Sequence, residues 1–153
     1  MLEALALLIG VVAGLRAFTA PAAIGFAARF CALGVAGTPL AFLGYRWTFW
    51  IFGLIALAEL VGDQLPSTPS RKVPVQFGTR IVMGGLSGGA LGATHDMLAV
   101  GVGAGAIGAV IGTLGGAAVR ARLAAAFHRD WPAAVIEDAV AVGVGLLIVC
   151  AVA

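Results

Sequence analysis

Seven residues of this 153-residue chain have the types and spacing to do chemistry: Arg16, Glu59, Asp63, Arg71, Arg120, Glu137 and Asp138. All lie in or beside apolar runs. Glu59 and Asp63 are one helical turn apart in "IALAELVGDQLPSTPSR" (Ile55 to Arg71), so they share a helix face. Asp63 falls where that helix should end, and the backbone dipole there repels an anion. An ionised side chain inside a membrane span is costly unless it faces the bundle interior, pairs, or lines a hydrated path. The cations on offer are Arg16, Arg71, Lys72, Arg80 and Arg120. Their places along the chain pair Arg16 with Glu59, and Arg120 with Glu137 or Asp138.

Two readings of these pairs stand side by side. In one, Glu59 and Glu137 are switchable carboxylates for a proton or cation, Arg16 and Arg120 are fixed counter-charges, and Asp63 with Arg71 shapes an entrance. In the other, the pairs are permanent and only fix helix register. Ser67, Thr68 and Ser70 beside Arg71 are enough to bind a small anion or a lipid phosphate, but ordinary turn chemistry explains the same residues. Arg71, Lys72 and Arg80 together suit an anionic lipid headgroup. His95 with Asp96 fits a proton relay or a helix end near an interface.

Other chemistries find no pattern. The sequence has no Gly-Lys-Ser phosphate loop, no Gly-x-Ser-x-Gly elbow and no His-Glu-x-x-His zinc helix. Cys31 and Cys150 lie far apart in apolar settings, without ligand spacing. The nine basic residues are scattered, so the net charge of +2 does not point to nucleic acid. No enzyme, cofactor or metal is expected.

The elements that must position the charges are helices in lipid. The chain is 61% hydrophobic and 10% charged, with a mean hydropathy of +1.09; soluble domains carry about 25% charged residues. The expected architecture is all-α: one integral membrane domain over residues 1–153, of about five transmembrane helices. A sixth is added if Cys31 to Tyr45, short and broken by Gly34, Gly37, Pro39 and Gly44, also crosses. The opening Met1-Leu2-Glu3 lacks the basic start of a cleaved leader, so the first helix is expected to be retained. That segment, Leu2 to Phe30, is too long for one straight span, and Pro21 is the expected break.

Further spans are expected at Arg46–Gly62, Arg80–Met97, Val100–Phe127 and from Asp130 to the end. Pro66, Pro69 and Pro74 should exclude helix between the second and third. Asp130 is placed to cap the last helix ahead of Pro132. With five spans, Arg71, Lys72, Arg80, Arg122 and Arg129 share one side and Arg29 and Arg46 the other, which puts the N-terminus in the cytoplasm and the C-terminus outside.

Glycine recurs every four residues at Gly84, Gly88 and Gly92, at Gly85 and Gly89, and at Gly108, Gly112 and Gly116. Such ridges let backbones approach closely, so the third and fourth spans should pack tightly, with each other or across a homodimer. "VAGLRAFTA" and "GAAVRARLA" are weakly alike, and each precedes an acid-bearing helix. They suggest inverted repeat halves, residues 1–63 and 100–153, linked by the span 80–97.

"GLRAFTAPA" (Gly14 to Ala22), "ELVGDQLPSTPSR" (Glu59 to Arg71) and "IEDA" (Ile136 to Ala139) together resemble a bacterial membrane family known as domain of unknown function 4126. The resemblance covers nearly the whole chain. It implies a multi-pass protein of the bacterial inner membrane in which these three polar segments meet, and it names no substrate. The functional expectation is a small transporter or channel for a small ion or polar solute. The alternative is a membrane scaffold or accessory subunit, or an anionic-lipid-binding protein.

Overall fold

The structure, a computed structural model, describes residues 1–62 and 73–152. Among the described residues six α-helices run in the order α1 (Leu2–Leu15), α2 (Thr19–Phe30), α3 (Thr48–Gly62), α4 (Pro74–Ala93), α5 (Leu98–Phe127) and α6 (Asp130–Val152), with one 3-10 turn at Ala41–Gly44. There is no strand among the described residues.

Close backbone approaches fix the helix directions. Gly10 meets Gly105, and Gly14 meets Ala109 and Thr113, so α1 and α5 run parallel. Gly84 meets Gly105, Gly88 meets Gly101 and Gly92 meets Met97, so α4 descends against α5. A Cβ added to Gly88 would lie 2.5 Å from the Gly101 carbonyl oxygen and 2.8 Å from the Gly105 Cα, a separation that only glycine permits. The α4 ridge thus packs on α5 within one chain, one of the two arrangements the spacing allowed. Gly108 and Gly112 turn instead to α1, meeting Leu7 and Val11.

Two corrections follow from the same contacts. Gly145 of α6 faces Ala23 of α2, Gly25 of α2 faces Phe49 of α3, and Asp138 of α6 meets Arg16. So α2 descends beside α6, and α1 and α2 form a helical hairpin rather than a broken but continuous span. The reversal occupies Arg16 to Phe18, not Pro21. Pro21 sits in the first turn of α2, where a missing N–H costs no intrahelical bond. Because of that reversal, the helices alternate in direction and α1 and α5 point the same way. The two Arg-bearing helices are therefore not inverted with respect to each other, and α1 starts at the end of the bundle where α6 finishes.

Pro74 likewise starts α4 instead of blocking it, again as a first-turn proline. Cys31 to Tyr45 forms no α-helix. It is a loop with the 3-10 turn, held by buried Leu33, Val35 and Leu43, and Leu40 reaches Gly89 at the lower end of α4. Among the described residues two helices are long and apolar enough to cross a membrane, α5 with 30 residues and α6 with 23; α1 and α3 are apolar but shorter. From Thr113, level with the end of α1, α5 continues to Phe127 for about 21 Å with no further buried residue. There it is accompanied by the start of α6, and the two form a projecting arm.

Candidate functional site

The reversal at Arg16 to Phe18 has to leave main-chain groups open, because α1 stops while α2 has not yet begun. Arg16 is extended (φ −140°, ψ 110°), and the first bond of α2 runs from the Ala22 N–H to the Phe18 carbonyl at 3.1 Å. The N–H groups of Ala17 and Phe18 have no helical acceptor, and the last carbonyls of α1 have no helical donor. In an apolar setting each such group costs free energy unless it is met.

Two distant side chains meet them. Glu59, in the last turn of α3, accepts both N–H groups: Ala17 at its Oε1 (2.9 Å) and Phe18 at its Oε2 (3.0 Å). Arg80, near the start of α4, donates from Nη1 to the carbonyls of Gly14 (2.7 Å) and Leu15 (2.5 Å). Its Nη2 lies 3.5 Å from Glu59 Oε1. An anion thus sits on the positive end of one helix and a cation on the negative end of the other, each favourable to the helix dipole. The Thr113 hydroxyl donates to the Ala109 carbonyl at 2.8 Å and lies 3.2 Å from that of Gly14.

Around this centre the other charges fall into place. Arg16, with no exposed surface, holds Asp138 of α6 through Nε and Nη2. Further along the arm, Arg120 pairs with Asp130 through Nε at 3.0 Å and Nη2, and with Glu137 through Nη1 at 3.4 Å. The expected pairing of Arg120 with Glu137 is therefore present, while Arg16 takes Asp138 and Glu59 takes the turn and Arg80. Asp130, the first residue of α6, is engaged by Arg120. Asp63, Arg71 and Lys72, with Ser67, Thr68 and Ser70, lie outside the described residues.

Thr113 was not among the expected site residues, and Arg80 was expected only as one of five candidate cations and in the headgroup set. Arg80 leaves a signal in the sequence, being the lone charge in the glycine-rich α4. It is 2% exposed, with its guanidinium on the reversal, and the other two residues of the headgroup set lie outside the described residues. His95 stands exposed beyond α4, its Nδ1 2.8 Å from the Thr94 hydroxyl, which is the helix-end arrangement.

A cavity of about 270 Å³ opens against the reversal, lined by Ala17, Phe18, Glu59, Val75, Gln76, Thr79 and Arg80. No group of three or more His, Cys, Asp or Glu side chains among the described residues is arranged to hold a metal. The arrangement can hold a charged or strongly polar group by main-chain donors and a buried guanidinium, with a space alongside for the remainder of a small molecule. No family model, curated protein or solved structure matches the chain.

Proposed function

We propose that this chain is a multi-pass helical membrane protein, related to the family it resembles, that passes a small ion or polar solute by way of the Arg16–Phe18 reversal. The observation that carries the reading is one polar turn, joined to a cavity, inside a bundle with an apolar exterior. Outward-facing residues include Trp50, Leu54, Ile107 and Leu147, each more than half exposed, whereas Arg16 and Arg80 are buried. A soluble domain would distribute these the other way round. Helix ends that meet within a bundle, with ionisable groups at the gap, are also how membrane transporters build binding sites.

The orientation we favour differs from that of a five-span chain. Among the described residues, Arg122 and Arg129 lie at the arm end, and Arg29 and Arg46 at the end that carries both chain termini. With Arg71 and Lys72 counted on the arm side, as the sequence suggests, the positive-inside rule turns the arm to the cytoplasm and both termini away from it.

The test is flux of a panel of ions and small solutes in liposomes containing the purified chain, with Glu59→Gln alongside. Protein-dependent flux that falls at least about tenfold in folded Glu59→Gln supports the reading, and unchanged flux removes Glu59 from it.

A second reading is favoured by one observation: the open backbone groups are already met by the chain's own side chains, so Glu59 and Arg80 work as a brace in a non-transporting scaffold. Its docking surface would not be the ridge of Gly84, Gly88 and Gly92, which is filled by α5. A homodimer, in either reading, would form through other faces.

A further inference from the structure

We infer that the site at the reversal recognises a small monocarboxylate or similar planar two-oxygen anion, and that Glu59 is its built-in occupant. This rests on the proposed function and narrows its substrate class from any small ion to an anion. The observations are geometric. The two oxygens of Glu59 are taken one each by consecutive main-chain N–H groups, at 2.9 and 3.0 Å, and the first is also 3.5 Å from the Arg80 guanidinium. These donors form a recognition set for a carboxylate, not for a cation, and N–H groups cannot be turned to present acceptors. Arg80 is anchored independently of Glu59, by the carbonyls of Gly14 and Leu15, so its position does not depend on the carboxylate that sits there.

The occupant is also the part of the site least tied down. Of the fifteen residues of α3 only Ala56 is buried, and the helix makes its substantial contacts with α2 and the 3-10 turn. By contrast Ala17 and Phe18 follow directly on α1, and Arg80 lies in α4, both helices of the glycine-packed centre. Withdrawal of α3 by a few ångströms would free two N–H groups and leave Arg80 in place. The cavity of about 270 Å³ lies against the same groups, and Val75, Phe18, Gln76 and Thr79 offer mixed apolar and polar walls for a short carbon chain. An external carboxylate would then replace the internal one, with the backbone groups of the turn met throughout.

The test uses the full chain, with two readouts. In liposomes, uptake of labelled acetate and formate is measured beside that of sodium and rubidium. In detergent, the melting temperature of Glu59→Ala is followed as formate is added, with Arg80→Lys in the same background. We expect carboxylate uptake by the unaltered chain, reduced at least about tenfold by Arg80→Lys. We also expect formate to raise the melting temperature of Glu59→Ala, with a weaker rise when Arg80→Lys is added and none from equal chloride. Cation flux without carboxylate flux overturns the inference and leaves the proposed function standing. Silence to every solute sinks the proposed function; the melting arm then decides the inference, which a formate-dependent rise supports and its absence overturns. If Glu59→Ala does not fold, Glu59→Gln takes its place, with acetate competing for the site.

Discussion

Arg16 and Arg120 each stand late in a helix that ascends toward the arm end, and each holds a carboxylate of α6, yet the two surroundings do opposite work. At Arg16 the helix stops and the chain reverses within three residues, with Glu59 holding N–H groups of the reversal from 42 residues away and Arg80 the last carbonyls of α1 from 65 away. At Arg120 the helix continues to Phe127 and closes in an ordinary way, on His128 in the left-handed region (φ 54°), at an exposed turn. The first ion-pair group shapes the backbone; the second clamps two helices that are already formed. Exposure separates the arginines themselves, Arg16 being wholly buried and Arg120 partly open, and of the carboxylates that Arg120 holds Asp130 is exposed while Glu137 is buried. Charge at the reversal should therefore matter to both folding and function, and charge on the arm mainly to local order.

The comparison can be broken most severely at the packing that holds the reversal in place. Gly105 faces both Gly84 and Gly88, and a Cβ there would lie 3.1 Å from the Gly88 Cα and closer still to Gly84. Gly105→Leu should cost on the order of 4 kcal/mol or more, and size-exclusion chromatography should show little monodisperse protein. Normal recovery would contradict the direct backbone packing of α4 on α5.

A smaller effect separates the two arginines. Arg16→Ala leaves Asp138 without this partner in the interior and should destabilise by about 3–5 kcal/mol. Arg120→Ala breaks a pair that is open to solvent at Asp130 but also leaves the buried Glu137 without this partner, and should cost less, about 1–3 kcal/mol. Thermal unfolding in one detergent checks the order, and equal losses would erase the proposed distinction. Smallest of all is Gly115→Ala on the arm, where an added Cβ meets nothing within 4 Å. The gain in helix propensity should leave stability unchanged or raise it by up to about 1 kcal/mol, and a clear loss would mean that the arm face is covered in solution.

The parts of this fold legible in the sequence are those set by local rules. Residues Asp130 to Pro132 opened α6 as expected, and the four-residue glycine spacing gave the close approach of α4 to α5. The reversal was hidden because nothing local encodes it. "LRAF" contains no glycine, proline or asparagine, and the turn is made by a carboxylate and a guanidinium brought from α3 and α4. Pro21 and Pro74 misled for a related reason: a proline in a first helical turn removes no bond, so it marks a start as readily as a break. For the site, the clustering of arginines with acids was readable from the cost of charge in lipid, whereas the choice of partners depended on helix directions that the hidden reversal decides.

The most direct measurement is solute flux through liposomes carrying folded Arg80→Lys beside folded Arg120→Lys. Both keep their charge, but only the first alters the donors on the reversal. The account predicts that Arg80→Lys is nearly silent while Arg120→Lys retains most of the flux of the unaltered chain. Retained flux in Arg80→Lys with loss in Arg120→Lys would move the site to the arm and contradict it.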